Sequence, residues 1–171
     1  KENINKSKLK PEEIDEVVMG QVLTSASGQN PARQAAIQAG IPIEKTAYVI
    51  NQVCGSGLRA VVAGHQSIIS KDVKIVIAGG QESMTNAPHA VHLRNNKKLE
   101  EKNLIDTMIK DGLWDAFNGY HMGVTAENVA EKWGITRKEQ DDFALSSQTK
   151  TEKAQKKGNF KDEIIPTVLK S

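Results

Sequence analysis

Cysteine is nearly missing from this chain: among 171 residues there is one, Cys54. A lone thiol cannot close an internal disulfide, which excludes a disulfide-stapled scaffold and points to a reducing, intracellular setting. Aromatic residues are scarce at 4%, and no basic stripe is interleaved with them; no nucleic-acid partner is expected. No apolar run approaches the ~20 residues that span a bilayer, and no signal-peptide segment stands at the start. No membrane association is therefore expected, and the expected location is cytoplasmic. Because the chain opens on Lys1 rather than methionine, a mitochondrial location is left open. What remains is the balance of an ordinary globular protein, with enough length for one domain, or a domain plus a subdomain, around a real core.

The patterning gives an order of elements. The stretch "KENINKSKLKPEEIDEVVMG" reads as a solvated helix, a turn at Pro11 and a short strand over 16–19. "TSASGQN" is a loop, after which Asn30 and Pro31 form an N-cap and first-turn proline ahead of "ARQAAIQA", with Gly40 as the stop. A helix over 31–39 follows. "AYVINQV" reads as a strand, 55–69 as a helix whose Leu58, Val61, Val62, His65 and Ile69 recur every three or four residues, and "VKIVIAGG" as a strand buried on both faces. Strand alternating with helix in this way predicts an α/β fold with a parallel or mixed sheet, and chemistry in such sheets gathers at the carboxyl ends of the strands. Cys54 stands at one such end and Gly79-Gly80 at another.

After Gln81 the sequence turns polar, and the best division falls at 83/84. Helical patches are predicted at "LIDTMIKDGLWDAF" and over 125–133. A long helix is announced by Thr136 and Glu139, a capping box, and closes before Gly158. "DEIIPTVLKS" reads as an edge strand containing Pro166.

Cys54 has two readings. It can be a small buried hydrophobe. Against that, it lies between a strand and a helix, the placing used by nucleophile elbows. A helix N-terminus offers partial positive charge and free N–H groups to a thiolate or an oxyanion. Gly55 and Gly57 leave room for a bulky substrate to reach the sulfur. The residues by themselves leave both readings open.

The stretch "NQVCGSGLRAV" resembles the nucleophile motif of the thiolases. Four further blocks agree in order: "AGGQESMTNAPH", "DTMIKDGLWDAFNGYHMGVTAENVA", "EQDDFALSSQTK" and "KDEIIP". Within that family the closest likeness is to the short-chain biosynthetic branch, the acetyl-CoA acetyltransferases, on the strength of "GYHMG" and "LWDAF". The resemblance implies a thiolase-like α/β fold, with a mixed-sheet N-terminal half-domain over 1–83 that lacks its first strand and part of a helical loop domain over 84–171. The family's C-terminal domain, with its Gly-His-Pro histidine and second cysteine, is expected to be absent, so that 1–171 alone is expected to be inactive.

The same resemblance implies that Cys54 is the acylated cysteine, that its own N–H helps to bind the thioester oxygen, and that His121, Met122 and Leu113 line the substrate tunnel. Coenzyme A thioesters would be the substrates, with no separate cofactor and no metal, and the assembly a homodimer or homotetramer. The implied activity is making or cleaving acetoacetyl-CoA. A longer-chain degradative 3-ketoacyl-CoA thiolase and a non-catalytic assembly module are the alternatives. The remaining candidates read as structural. His65 is expected on a core or interface face, and His89 and His92 in solvated loops rather than at a metal. Asp141 and Asp142 are expected on an exposed helix face, and "RNNKKLEEKN" in a solvated loop that could otherwise steer phosphates. "GGQES" lacks the spacing and lysine of a phosphate loop.

Overall fold

Three parallel strands order the first part of the protein in the computed structural model, which describes residues 1–94, 98 and 104–167. Strand β1 (Glu16–Gly20) lies between β2 (Thr46–Ile50) and β3 (Val76–Gly80), with Gly20 level with both Ile50 and Gly80. Side chains alternate across a strand, and here that alternation separates two helical layers. On one face Val17 packs with Ile14, Ala36 and Ile41, and with Ile4 of helix α1 (Glu2–Ser7). Ala36 belongs to α2 (Pro31–Ala39). On the other face, helix α3 (Ser56–Ile69) crosses the sheet close to Val76 and Ala78. Ile14 and Val18 are the largest fully buried side chains.

Local chemistry fixes several boundaries as expected. Asn30 Oδ1 accepts from Arg33 N at 3.1 Å and Pro31 opens α2, while Gly40 closes it at φ 93°. The opening helix is solvated on all but one side, where Ile4 is buried.

Three expectations are corrected. The apolar stripe of α3 does not enter the core of this chain: its buried residues are Ser56, Ala60 and Gly64, while Leu58, Val61 and Ile69 are exposed, as is His65, whose expected place is thereby narrowed from a core or interface face to an interface face. The cause is distance. A Cβ on Gly64 would lie 2.9 Å from Val76 Cγ1, so only the face of small residues can approach this closely. Strand β3 is half-buried rather than covered on both faces, because it is an edge of the three-stranded sheet, while the central β1 buries Val17, Val18 and Gly20. No strand forms over 164–167, where Ile164 and Ile165 are exposed; among the described residues the surrounding unit is helical and offers no strand edge to pair with.

The chain forms two compact units, Lys1–Ala116 and Phe117–Ser171. Within the first, β4 (His89–Ala90) pairs antiparallel with β5 (Ile105–Asp106) in a stretch that showed no strand pattern. A single wide π-type turn, Met108–Leu113, follows it where a helix was expected. The second unit consists of α4 (Met122–Trp133) and α5 (Arg137–Lys156). The predicted capping box holds: Thr136 Oγ1 accepts from Glu139 N at 3.3 Å, and Thr136 N donates to Glu139 Oε2 at 2.7 Å. That backbone N–H, with the Thr136 hydroxyl, holds the Glu139 carboxyl below its usual range. Asp141 and Asp142 are exposed partners of Arg137 and Lys138 one helical turn away, surface pairs of small energetic weight.

Candidate active site

All three parallel strands end on one side of the sheet, and a cavity of about 440 Å³ opens there. Gly20, Gly57 and Gly80 meet at its back. A Cβ on Gly20 would lie 2.3 Å from the Ser56 carbonyl carbon and 2.5 Å from Gly57 N, so the first turn of α3 sits directly on the end of β1 because a side chain is missing there. Cys54 lines this cavity and is exposed.

The strand does not run into Cys54 as expected. It stops at Ile50, because Gln52 N turns to the Ser56 hydroxyl at 2.9 Å instead of to a neighbouring strand. The next residue, Val53, has φ 47°, a conformation costly for a β-branched side chain and of the kind that collects at functional sites. Its N–H donates to Asn51 Oδ1 at 2.9 Å, and its carbonyl accepts from Ser56 Oγ at 2.5 Å and Ser56 N at 3.0 Å. Buried Ser56 thus fastens the turn from inside and sets Cys54 just ahead of α3. The start of a helix carries its positive end, and Cys54 stands two residues ahead of Ser56, where the Gly55 and Ser56 N–H groups donate to Gln52 O and Val53 O at 3.0 Å. Chemically, the arrangement suits a nucleophilic thiol with an adjoining apolar cavity.

The opposite wall is the turn after β1. Glu82 accepts from Val22 N at 2.9 Å and from Leu23 N at 3.2 Å. Gln81 donates to Gln21 Oε1 at 2.9 Å, and Gln21, itself buried, donates to Leu23 O at 3.0 Å. The polar part of "GGQES" therefore ties the loop after β3 to the loop after β1. No local pattern marked these residues, since their partners lie about sixty positions away.

Of the four expected site residues, Leu113 joins Cys54 on the cavity wall, together with Met84 and Met108. His121 and Met122 belong to the second unit. There His121 caps α4, its Nδ1 accepting from Gly123 N at 3.0 Å. Among the described residues, no three His, Cys, Asp or Glu gather as metal ligands, and no helix is long and apolar enough to cross a membrane. Most of the charged stretch 94–103 lies outside the described residues.

Over residues 1–171 the sequence matches the family model described as the thiolase N-terminal domain. The chain belongs to the thiolase family. This thiolase chain is 63% identical over 159 residues to a protein of Rhizobium meliloti named acetyl-CoA acetyltransferase, covering 93% of the chain and 40% of that protein. A Paracoccus denitrificans protein of the same name is 58% identical over 168 residues, covering 98% and 43%. A rat protein named cytosolic acetyl-CoA acetyltransferase is 50% identical over 171 residues, covering 100% and 43%. The thiolase chain also shares the fold of Acat5 thiolase from Ascaris suum, solved in complex with coenzyme A. The TM-score is 0.91 at 36% identity, over 97% of this chain and 43% of that one. It thus spans about two fifths of the length of the curated relatives it matches.

Proposed function

We propose that this chain supplies the nucleophile of a short-chain acyltransferase, an acetyl-CoA C-acetyltransferase that makes or cleaves acetoacetyl-CoA through an acyl-enzyme on Cys54. One observation carries the reading: Cys54 stands at the mouth of the cavity where the three parallel strands end, directly before α3. The names of the relatives support the substrate class.

In the forward direction the Cys54 thiolate attacks the thioester carbonyl carbon. A carbon–sulfur bond forms, the carbonyl oxygen takes the negative charge, and the backbone N–H of Cys54 helps to hold it. Collapse expels coenzyme A as the thiol, which needs a proton. The acyl-enzyme remains an activated thioester, and the α-carbon of a second acyl-CoA, once deprotonated, displaces Cys54 with formation of a carbon–carbon bond.

His121, Met122 and Leu113 are assigned to the pantetheine path. The substrates are themselves the coenzyme A thioesters, and no further cofactor or metal is invoked. The reading assigns the protein to fatty acid metabolism, with the cytoplasm as its location and the mitochondrion as the alternative; the name of the rat relative, cytosolic acetyl-CoA acetyltransferase, supports the former. The open edge β2 is assigned to pairing with its twin across a two-fold axis, giving a homodimer or, by further association, a homotetramer.

Turnover needs a base for the thiol and an acid/base at the α-carbon, each worth ~10²–10⁴-fold. The 171 residues hold one cysteine and no Gly-His-Pro sequence, so this chain alone should not turn over, and any acylation of Cys54 rests on its turn and the start of α3 alone. Mixed with acetyl-CoA and followed by intact mass, it should gain one acetyl group on Cys54 faster than the urea-unfolded chain does. Cys54→Ser should gain none. Acetylation no faster than that of the unfolded chain, or acetoacetyl-CoA made by Cys54→Ser, would overturn the reading.

A further inference from the structure

Nothing in the proposed chemistry uses Glu82, yet its carboxylate spans the gap between the loops that follow β3 and β1. It accepts two consecutive backbone N–H groups, those of Val22 and Leu23, at 2.9 and 3.2 Å. All three residues line the cavity that holds Cys54. Leu23 passes the constraint on, since its Cδ2 lies where a Cβ on Gly112 would touch it at 3.6 Å, beside Leu113 on the adjoining wall. We infer that Glu82 is a positioning residue that sets the width of the cavity beside Cys54, and with it the length of acyl group that fits.

The reasoning is one of anchors. Bonds from N–H groups to an ionised acceptor are stronger than neutral ones. With the carboxylate gone, the Val22 and Leu23 amides have no acceptor inside the wall and turn to water, carrying the wall outward. The turn does not come undone, because its start is held separately: Gln81 N donates to Gly20 O at 3.0 Å, and the Gln81 amide to Gln21. The effect is thus confined to residues 22 and 23 and to what Leu23 touches. Apolar pockets discriminate about tenfold or more per methylene, so a small displacement of this wall is enough to change the acyl length admitted.

The inference rests on reading the cavity as the acyl site, but its test does not depend on acyl transfer. Cys54 is the sole thiol, so alkylation of the 171-residue chain by iodoacetamide and by its N-hexyl derivative reports directly on the space around the sulfur. In Glu82→Ala, the rate with the long probe relative to the short one should rise about tenfold. Glu82→Gln keeps one acceptor oxygen but turns an NH₂ toward an N–H, and should give a smaller rise. It also carries the test if Glu82→Ala does not fold.

An unchanged ratio in the folded variants would overturn the inference. Equal acceleration of both probes would do so too, since that reports a loosened Cys54 turn. Loss of cooperative unfolding in Glu82→Gln would likewise show that the residue holds the fold rather than the wall. A parent chain that takes no acetyl group from acetyl-CoA would count against the proposed function only, because the alkylation ratio is read without it.

Discussion

Adding one methyl group at Gly20 should separate the sheet from the helix that positions Cys54. The Cβ of Gly20→Ala would fall 2.3 Å from the Ser56 carbonyl carbon, 2.5 Å from Gly57 N and 2.5 Å from Ser56 O. Non-bonded carbon atoms settle at ~3.5–4.0 Å, so the start of α3 must move by roughly 1 Å or more. The obstacles are backbone atoms, which have no alternative rotamer, and Ser56 is held on both sides through Gln52 N and Val53 O. Overpacking of this kind costs about 1–3 kcal/mol, and the upper half of that range is expected. For a chain of this size, each kcal/mol lowers the thermal midpoint by about 2–4 °C.

Urea unfolding followed by far-UV circular dichroism gives the stability change, and iodoacetamide alkylation of Cys54 reports on the turn. Gly57→Ala is the control of opposite sign. Its Cβ meets nothing within 4 Å, and replacing glycine by alanine inside a helix should stabilise by about 0.5–1 kcal/mol, while narrowing the cavity that Gly57 lines. A Gly20→Ala protein within about 0.5 kcal/mol of the parent, with the parent's alkylation rate, would refute the close approach.

Ile14→Ala, at a side chain 1% exposed, should cost about 2–5 kcal/mol in urea titration; a loss under 1 kcal/mol would mean that this core is loosely packed. Asp15 governs acid stability. The Lys74 and Ile75 N–H groups, then Lys45, hold its carboxyl below the usual range. Its contribution is complete above the unfolded carboxylate value of ~4 and is lost as pH falls through the lower folded value. Asp15→Asn should therefore flatten the dependence of the urea midpoint on pH between ~5 and ~2, and an unaltered slope would contradict the assignment. Sedimentation at tens of micromolar, a range that detects weak association, should find a dimer through β2; a monomer there would reject that assembly.

Interactions that close within a few residues were legible in the sequence itself. The Asn30–Pro31 start and Gly40 stop of α2, the Thr136–Glu139 box of α5, and the alternation of strand and helix up to Gly80 all depend on near neighbours. The family motif around Cys54 was legible for the same reason, as a contiguous string. What depended on distant partners was not. An apolar stripe tells that a helix has two faces but not which one meets the sheet, and in α3 the smaller residues win because the backbones come too close for Leu58 or Val61. The stretch "DEIIP" carries strand-forming residues, yet a strand exists only where a second edge completes its hydrogen bonds. Nothing in the stretch "GGQES" singles out Glu82. Only the parallel register of β1 and β3 brings it to the amides of Val22 and Leu23, across sixty residues of chain.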